Sequence, residues 1–242
     1  MQTNISQYPC QKENKSNQCI KVILCILWVF VIASCQSKNQ ETKLSSNSVP
    51  TLQHSTPTPV QWHKVIQDGG FLSGEPCGPP CFWGVTPGIT KIDQVYQILD
   101  ARGLRPYCSK YDDGHGVRGI DCPIWLGFSF AEQTDVIDGV GFTPSITITL
   151  KDAINKYGSP SHVLALIGGL PDYPQRVNLS LYYDEIFTIL HFLEIEGEVY
   201  PLEAASVVQA IDYSDRIAYE EFRNFPFQPW VGYGKYAGTI FP

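Results

Sequence analysis

Positive charge is scarce in this sequence: 17 Lys and Arg stand against 24 Asp and Glu, a net charge of −7. Sequence-independent binding to nucleic acid needs clustered Lys and Arg against the phosphates, so no nucleic-acid partner is expected. Long hydrophobic runs are missing too. No stretch approaches the about 18 unbroken apolar residues of a membrane span, which argues against a polytopic membrane protein. Catalytic signatures are equally thin. No G-x-S-x-G, H-E-x-x-H or phosphate-binding loop occurs, and no catalytic residue, metal or cofactor is expected. What is left is globular composition, 43% apolar and 17% charged over 242 residues.

The first landmark is a short apolar run. Residues 22–33 read VILCILWVFVIA, preceded by Lys12, Lys15 and Lys21 and followed by Ser34 and Cys35. Twelve helical residues cover about 18 Å, short of the roughly 30 Å hydrocarbon core. Length and basic flank fit a signal-peptide core. Ile32-Ala33-Ser34-Cys35 resembles the bacterial lipobox. The resemblance implies cleavage after residue 34, lipid on Cys35 and an acylated new amino terminus, hence a membrane partner reached through the anchor. A short uncleaved anchor, or a secretory peptide with Cys35 incidental, stands as the alternative.

Residues 35–61 then form a tether: after Cys35 the stretch is rich in Ser, Thr, Gln, Asn and Pro. Such composition cannot bury enough surface to offset its ordering entropy. Residues 62–242 are long enough for one folded body burying roughly 70% of its unfolded surface. Within it, Ile92, Val95, Tyr96 and Leu99 fall on one helical face, with Thr90 and Asp93 as cap signals. Leu150, Ala153, Ile154 and Tyr157 make a second stripe behind Thr149 and Asp152, with Gly158 and Pro160 as the stop. Ile89-Thr90-x-x-Asp93-x-Val95 recurs as Ile148-Thr149-x-x-Asp152-x-Ile154. Strand-like runs follow at 124–130 and 136–142, then at 163–167, 177–183, 186–193 and 207–213. The expected fold class is therefore α+β: two tandem units of helix plus antiparallel meander, about 83–142 and 143–213, with an aromatic tail at 214–242.

Four cysteines remain in the body, Cys77, Cys81, Cys108 and Cys122. Outside the reducing cytosol they suggest two disulfides in one of three connectivities, and Cys77–Cys81 with Cys108–Cys122 is favoured because the second pair closes a glycine-rich loop. The gaps of 3, 26 and 13 residues fit neither a C-x-x-C redox site nor paired zinc knuckles. Ser161 and His162 are adjacent and so on opposite strand faces, unable to pair as nucleophile and base. His191, in an apolar strand run, reads as a satisfied sheet residue. Phe225, Phe227, Trp230, Tyr233 and Tyr236 are interleaved with Pro and Gly. They either dock as a coil onto the body or form an interaction patch. The alternating acids Glu194, Glu196 and Glu198 read as a wet face or a second part of that patch.

Gly88-Ile89-Thr90 before Gln94-Val95, and the Tyr157-Gly158-Ser159-Pro160 exit, resemble the SmpA/OmlA (BamE) type of small envelope lipoprotein. Tandem copies of that unit would resemble the β-lactamase-inhibitor-protein architecture. The segment Pro79-Pro80-Cys81-Phe82-Trp83-Gly84-Val85-Thr86-Pro87-Gly88 is similar to bacterial lipoproteins carrying P-P-C-[FW]-x-G-[IV]-x-P-G-x-T, a pattern with no activity attached to it. Fold likeness does not license function. The combined expectation is a lipid-anchored protein on the extracytoplasmic side of the cell membrane, a non-catalytic module that binds an envelope protein. A domain that binds or hydrolyses cell-wall glycan or peptide is the alternative.

Overall fold

The computed structural model describes residues 62–112, 117–123, 125–131, 134–168, 174–221 and 225–240. Cys35, the apolar run before it and the tether lie outside the described residues.

Two of the helices form where the apolar stripes place them. After α1 (Trp62–Ile66), α2 spans Ile92–Ala101 and buries Ile92, Val95 and Leu99. Its cap is not the expected one. Thr90 Oγ1 accepts from Thr86 N instead, and the Gln94 side chain accepts from Lys91 N at 2.9 Å. The second stripe folds as α3, Leu150–Tyr157, behind a reciprocal Thr149–Asp152 box. A last short helix, α4, covers Arg216–Glu221 and takes its cap from Asp215, whose carboxylate accepts from Ala218 N.

The strands run β1 Ser109–Asp112, β2 Val117–Cys122, β3 Leu126–Ala131, β4 Ile137–Phe142, β5 His162–Gly168, β6 Arg176–Tyr183 and β7 Thr188–Phe192. They continue as β8 Ile195–Glu196, β9 Val199–Leu202, β10 Val208–Ser214, β11 Gln228–Pro229, β12 Gly234–Ala237 and β13 Thr239–Ile240. Eleven of them make one sheet in the order β1-β2-β3-β4-β10-β7-β6-β5-β11, with β13 also on β5 and β8 on β6. β9 and β12 pair separately.

This corrects the expected fold class. The chain does not build α+β tandem units of helix plus meander; it is mostly one large antiparallel sheet with few, short helices. The reason is β10, which pairs with β4 on one side and β7 on the other and so fuses strands of both halves into one sheet. Periodicity along a chain finds strands but not their long-range partners. The sheet's inner face carries the main core: Phe128, Val140, Phe142, Leu179, Leu181, Leu190, Ile211 and Tyr213 pack with α2, α3 and Phe71 and Phe82. Burial at about 25 cal/mol per Å² of apolar surface makes this the dominant stabilising contact.

Two disulfides tie the loops to this body, Cys77–Cys81 and Cys108–Cys122. Asp68, 5% exposed, organises the loop after α1 by accepting from the backbone N–H groups of Gly70, Leu72 and Ser73 and from the Ser73 hydroxyl. Burial opposes its charge, but these donors outweigh burial and hold its carboxyl below the usual range.

Candidate functional site

Strand alternation sends Ser180 of β6, His191 of β7 and Asp212 of β10 to the face opposite the core. Ser180 is the cross-strand neighbour of His191, and Asp212 lies one strand further, on β10. The three meet side by side: Ser180 Oγ is 2.9 Å from His191 Nδ1, and His191 Nε2 is 2.8 Å from Asp212 Oδ2. An ionised carboxylate only accepts, so Nε2 carries a hydrogen and the neutral ring offers Nδ1 to the Ser180 hydroxyl. Gly141 makes room for this arrangement, since a Cβ there would stand 2.6 Å from Asp212 Oδ1.

His191 is only partly covered, with 35% of its side chain exposed. Desolvation disfavours the imidazolium, but the charge and hydrogen bond of Asp212 prevail and raise its pKa above the ordinary value. The arrangement can hold a proton between two strands. It also resembles the nucleophile, base and orienting acid of acyl transfer, with the ring nitrogens exchanged. Acyl transfer also requires N–H donors converging on the developing oxyanion. The backbone donors around Ser180 and His191 lie within the ladder pairings of β5, β6, β7 and β10.

Two further acid clusters share this outer face. Ser129 Oγ donates to Asp138 Oδ1 at 2.5 Å, and Asp138 is pushed up by burial first and then by the charges of Asp215 and Glu221. On the other side of Ser180, His162 Nε2 stands 3.2 Å from Asp184 Oδ2, and Tyr219 donates to Asp184 Oδ1. Ser161 and His162 thus both meet Asp184 rather than each other.

Of the aromatic tail, Phe225 and Phe227 pack on an outer-face cluster of Leu164, Tyr182, Ile189 and Tyr219. Tyr236 is 2% exposed, and the Trp230 ring stacks on it while packing against the main core; Tyr233 stays exposed. The tail therefore contains three short strands rather than only coil. Glu194, Glu196 and Glu198 are all exposed, with Glu194 reaching Arg176 at 3.9 Å. Glu198 meets the tail through its backbone, where Glu198 O accepts from Gly238 N.

Sequence reasoning missed Ser180 and Asp212, which lie 11 and 21 residues from His191 in the chain. The available signal was three polar residues at outward positions of three expected strands. It also missed Trp125, which is 63% exposed at φ 60° in the β2–β3 turn, three residues after the disulfide-bonded Cys122. A bulky residue at positive φ is strained, and strain of that kind clusters at functional positions. Among the described residues no three His, Cys, Asp or Glu converge as metal ligands. A cleft of about 420 Å³ opens between α2 and β1–β3, lined by Tyr96, Lys110, Tyr111, Arg118 and Phe130 among others. Compared with protein-family models, curated proteins and solved structures, the chain matches none.

Proposed function

We propose that this chain is an extracytoplasmic lipoprotein, held to the cell membrane through Cys35, whose folded body is a non-catalytic module that binds an envelope protein. The observation that carries the compartment is the pairing of all four body cysteines in two disulfides, which persist outside the reducing cytosol. The Ile32–Cys35 lipobox pattern supports the anchor. Trp125 supports the binding role: a large ring left 63% exposed, three residues after a disulfide-bonded cysteine, is the kind of side chain that anchors interfaces.

The test has two arms. Replacing Cys35→Ser should move the protein from the membrane pellet to the soluble extracytoplasmic fraction; retention in the pellet at full size refutes the anchor. In-cell crosslinking of the anchored protein should recover one near-stoichiometric partner, lost in Trp125→Ala. An unchanged partner yield in that variant refutes the assignment of Trp125.

A second reading, hydrolysis of a cell-wall ester or peptide, draws on the Ser180–His191–Asp212 contact. It requires Ser180 Oγ to bond to the phosphorus of a fluorophosphonate probe, with fluoride leaving and the hydroxyl proton passing to His191. Probe label on Ser180 that disappears in a folded His191→Gln variant would establish it, and absence of label would remove it.

A further inference from the structure

Among the described residues the sheet has two edges, and β1 is the strand at one of them. All four of its residues, Ser109, Lys110, Tyr111 and Asp112, are exposed. Its inner side pairs with β2 in the register Lys110↔Ile120, Tyr111↔Gly119, Asp112↔Arg118. The outward row of N–H and C=O groups of such a terminal strand is a template for another strand.

Three features show what kind of strand fits. First, the edge is preformed. Cys108, immediately before β1, is joined to Cys122 at the end of β2, so the short strand is covalently held in its ladder and loses little further freedom on pairing. Second, the edge has an aromatic at its centre. The Tyr111 ring lies across Gly119, in the space a Cβ would occupy, which fixes it while leaving it 40% exposed. Third, the charges are self-complementary. Lys110 and Asp112 flank Tyr111 and point to the same face, the side of the sheet on which the Lys110 ammonium stands 5.1 Å from the Tyr96 ring centroid. In an antiparallel pair with its two-fold axis at Tyr111, Lys110 of each copy falls opposite Asp112 of the other, twice. Opposite charges placed directly across an antiparallel pair stabilise it, and like charges there destabilise it.

We propose that β1 is a homotypic interface: two copies of this chain join edge to edge through antiparallel β1 strands centred on Tyr111, with register set by reciprocal Lys110–Asp112 pairs. A two-fold contact of this kind is isologous and closes at the dimer, so it consumes the open edge instead of propagating. The inference does not rest on the lipoprotein reading and stands or falls separately from it.

The experiment is sedimentation velocity on the full chain in detergent, over about a hundredfold range of concentration, so that mass action is visible. The wild type should sediment as a concentration-dependent dimer. Lys110→Asp and Asp112→Lys each place like charges opposite one another at both positions and should weaken the dimer by at least about tenfold. An equimolar mixture of the two single variants should form a heterodimer, because a β1 strand with two carboxylates then faces one with two ammonium groups. The double exchange Lys110→Asp with Asp112→Lys should restore self-association, which also covers the case of a single variant that folds poorly. A wild type that stays monomeric throughout, single variants that sediment like the wild type, or a mixture and double variant that both stay monomeric would each overturn the proposal. A monomer whose β1 amides gain exchange protection only when a purified envelope protein is added would assign the edge to a heterologous strand, and overturn it equally.

Discussion

Along β5 the sheet ends beneath the chain's own tail, with Gln228–Pro229 antiparallel and Thr239–Ile240 parallel to it, whereas along β1 it ends in four exposed residues. The first edge is closed by pairing. Its cover is held in turn by β12 on β9, by Tyr236, which donates to Gly232 O, and by Gln228, which donates to Ala237 O. Pro229 is tolerated there because an edge residue can forgo its N–H. The second edge is kept in shape by a covalent bond at Cys108–Cys122, and among the described residues no strand pairs with its outer side. One sheet thus solves the same problem in two ways, and the difference separates an edge that is finished from one that is available.

The largest effect should come from the closed edge. Tyr236→Ala empties a buried site that anchors the tail and should cost about 3–5 kcal/mol, with aggregation as β5 is uncovered. Denaturant midpoint and light scattering measure both; a midpoint shift without scattering would mean that the tail is not what shields β5. Next, Cys108→Ser with Cys122→Ser removes a cross-link between residues 14 apart and should cost about 3 kcal/mol. Hydrogen exchange should quicken in β1 and stay slow in β5, and equal acceleration at both edges would erase the distinction between them.

Trp125→Gly relieves a positive-φ strain beside the open edge while giving up little buried surface. Stability should rise by about 1 kcal/mol in thermal unfolding. A fall would mean that the ring is packed rather than presented. The smallest effect belongs to His191, midway between the edges. Its folded-state pKa is raised, so its pairing with Asp212 stabilises the fold fully below the unfolded-state value and the benefit fades as pH climbs through the folded-state value. Denaturation between about pH 5 and pH 9 should show a shallower decline in His191→Gln than in the wild type. Parallel curves would show that His191 does not titrate with folding.

Much of the inner architecture was legible in the sequence. The runs at 124–130, 136–142, 163–167, 177–183 and 207–213 overlap β3, β4, β5, β6 and β10, because half-buried strands alternate and the core demands it. The Thr149–Asp152 cap formed as its chemistry requires. The edges were not legible. β1 is exposed along its whole length, and β11 and β13 are two residues each, so none carries the alternation that burial imposes. The same blindness to long-range pairing hid β10's place between β4 and β7, and with it the fold class. His191 was recognisable as a sheet residue, but Ser180 and Asp212 became its neighbours only once three strands had found their order.

The covering of β5 by distant chain sets a clock. Val163 waits for Gln228 and Ile167 for Ile240, separations of roughly 70 residues. Where export keeps pace with synthesis, at about 5–20 residues per second, that leaves roughly 4–14 s in which an apolar strand has been delivered and its cover has not. During that interval the nascent chain is most exposed to pairing with the wrong neighbour. Any factor that slows delivery of residues 228–240 lengthens it, and assembly yield should then depend on the rate of chain delivery rather than on the stability of the finished fold.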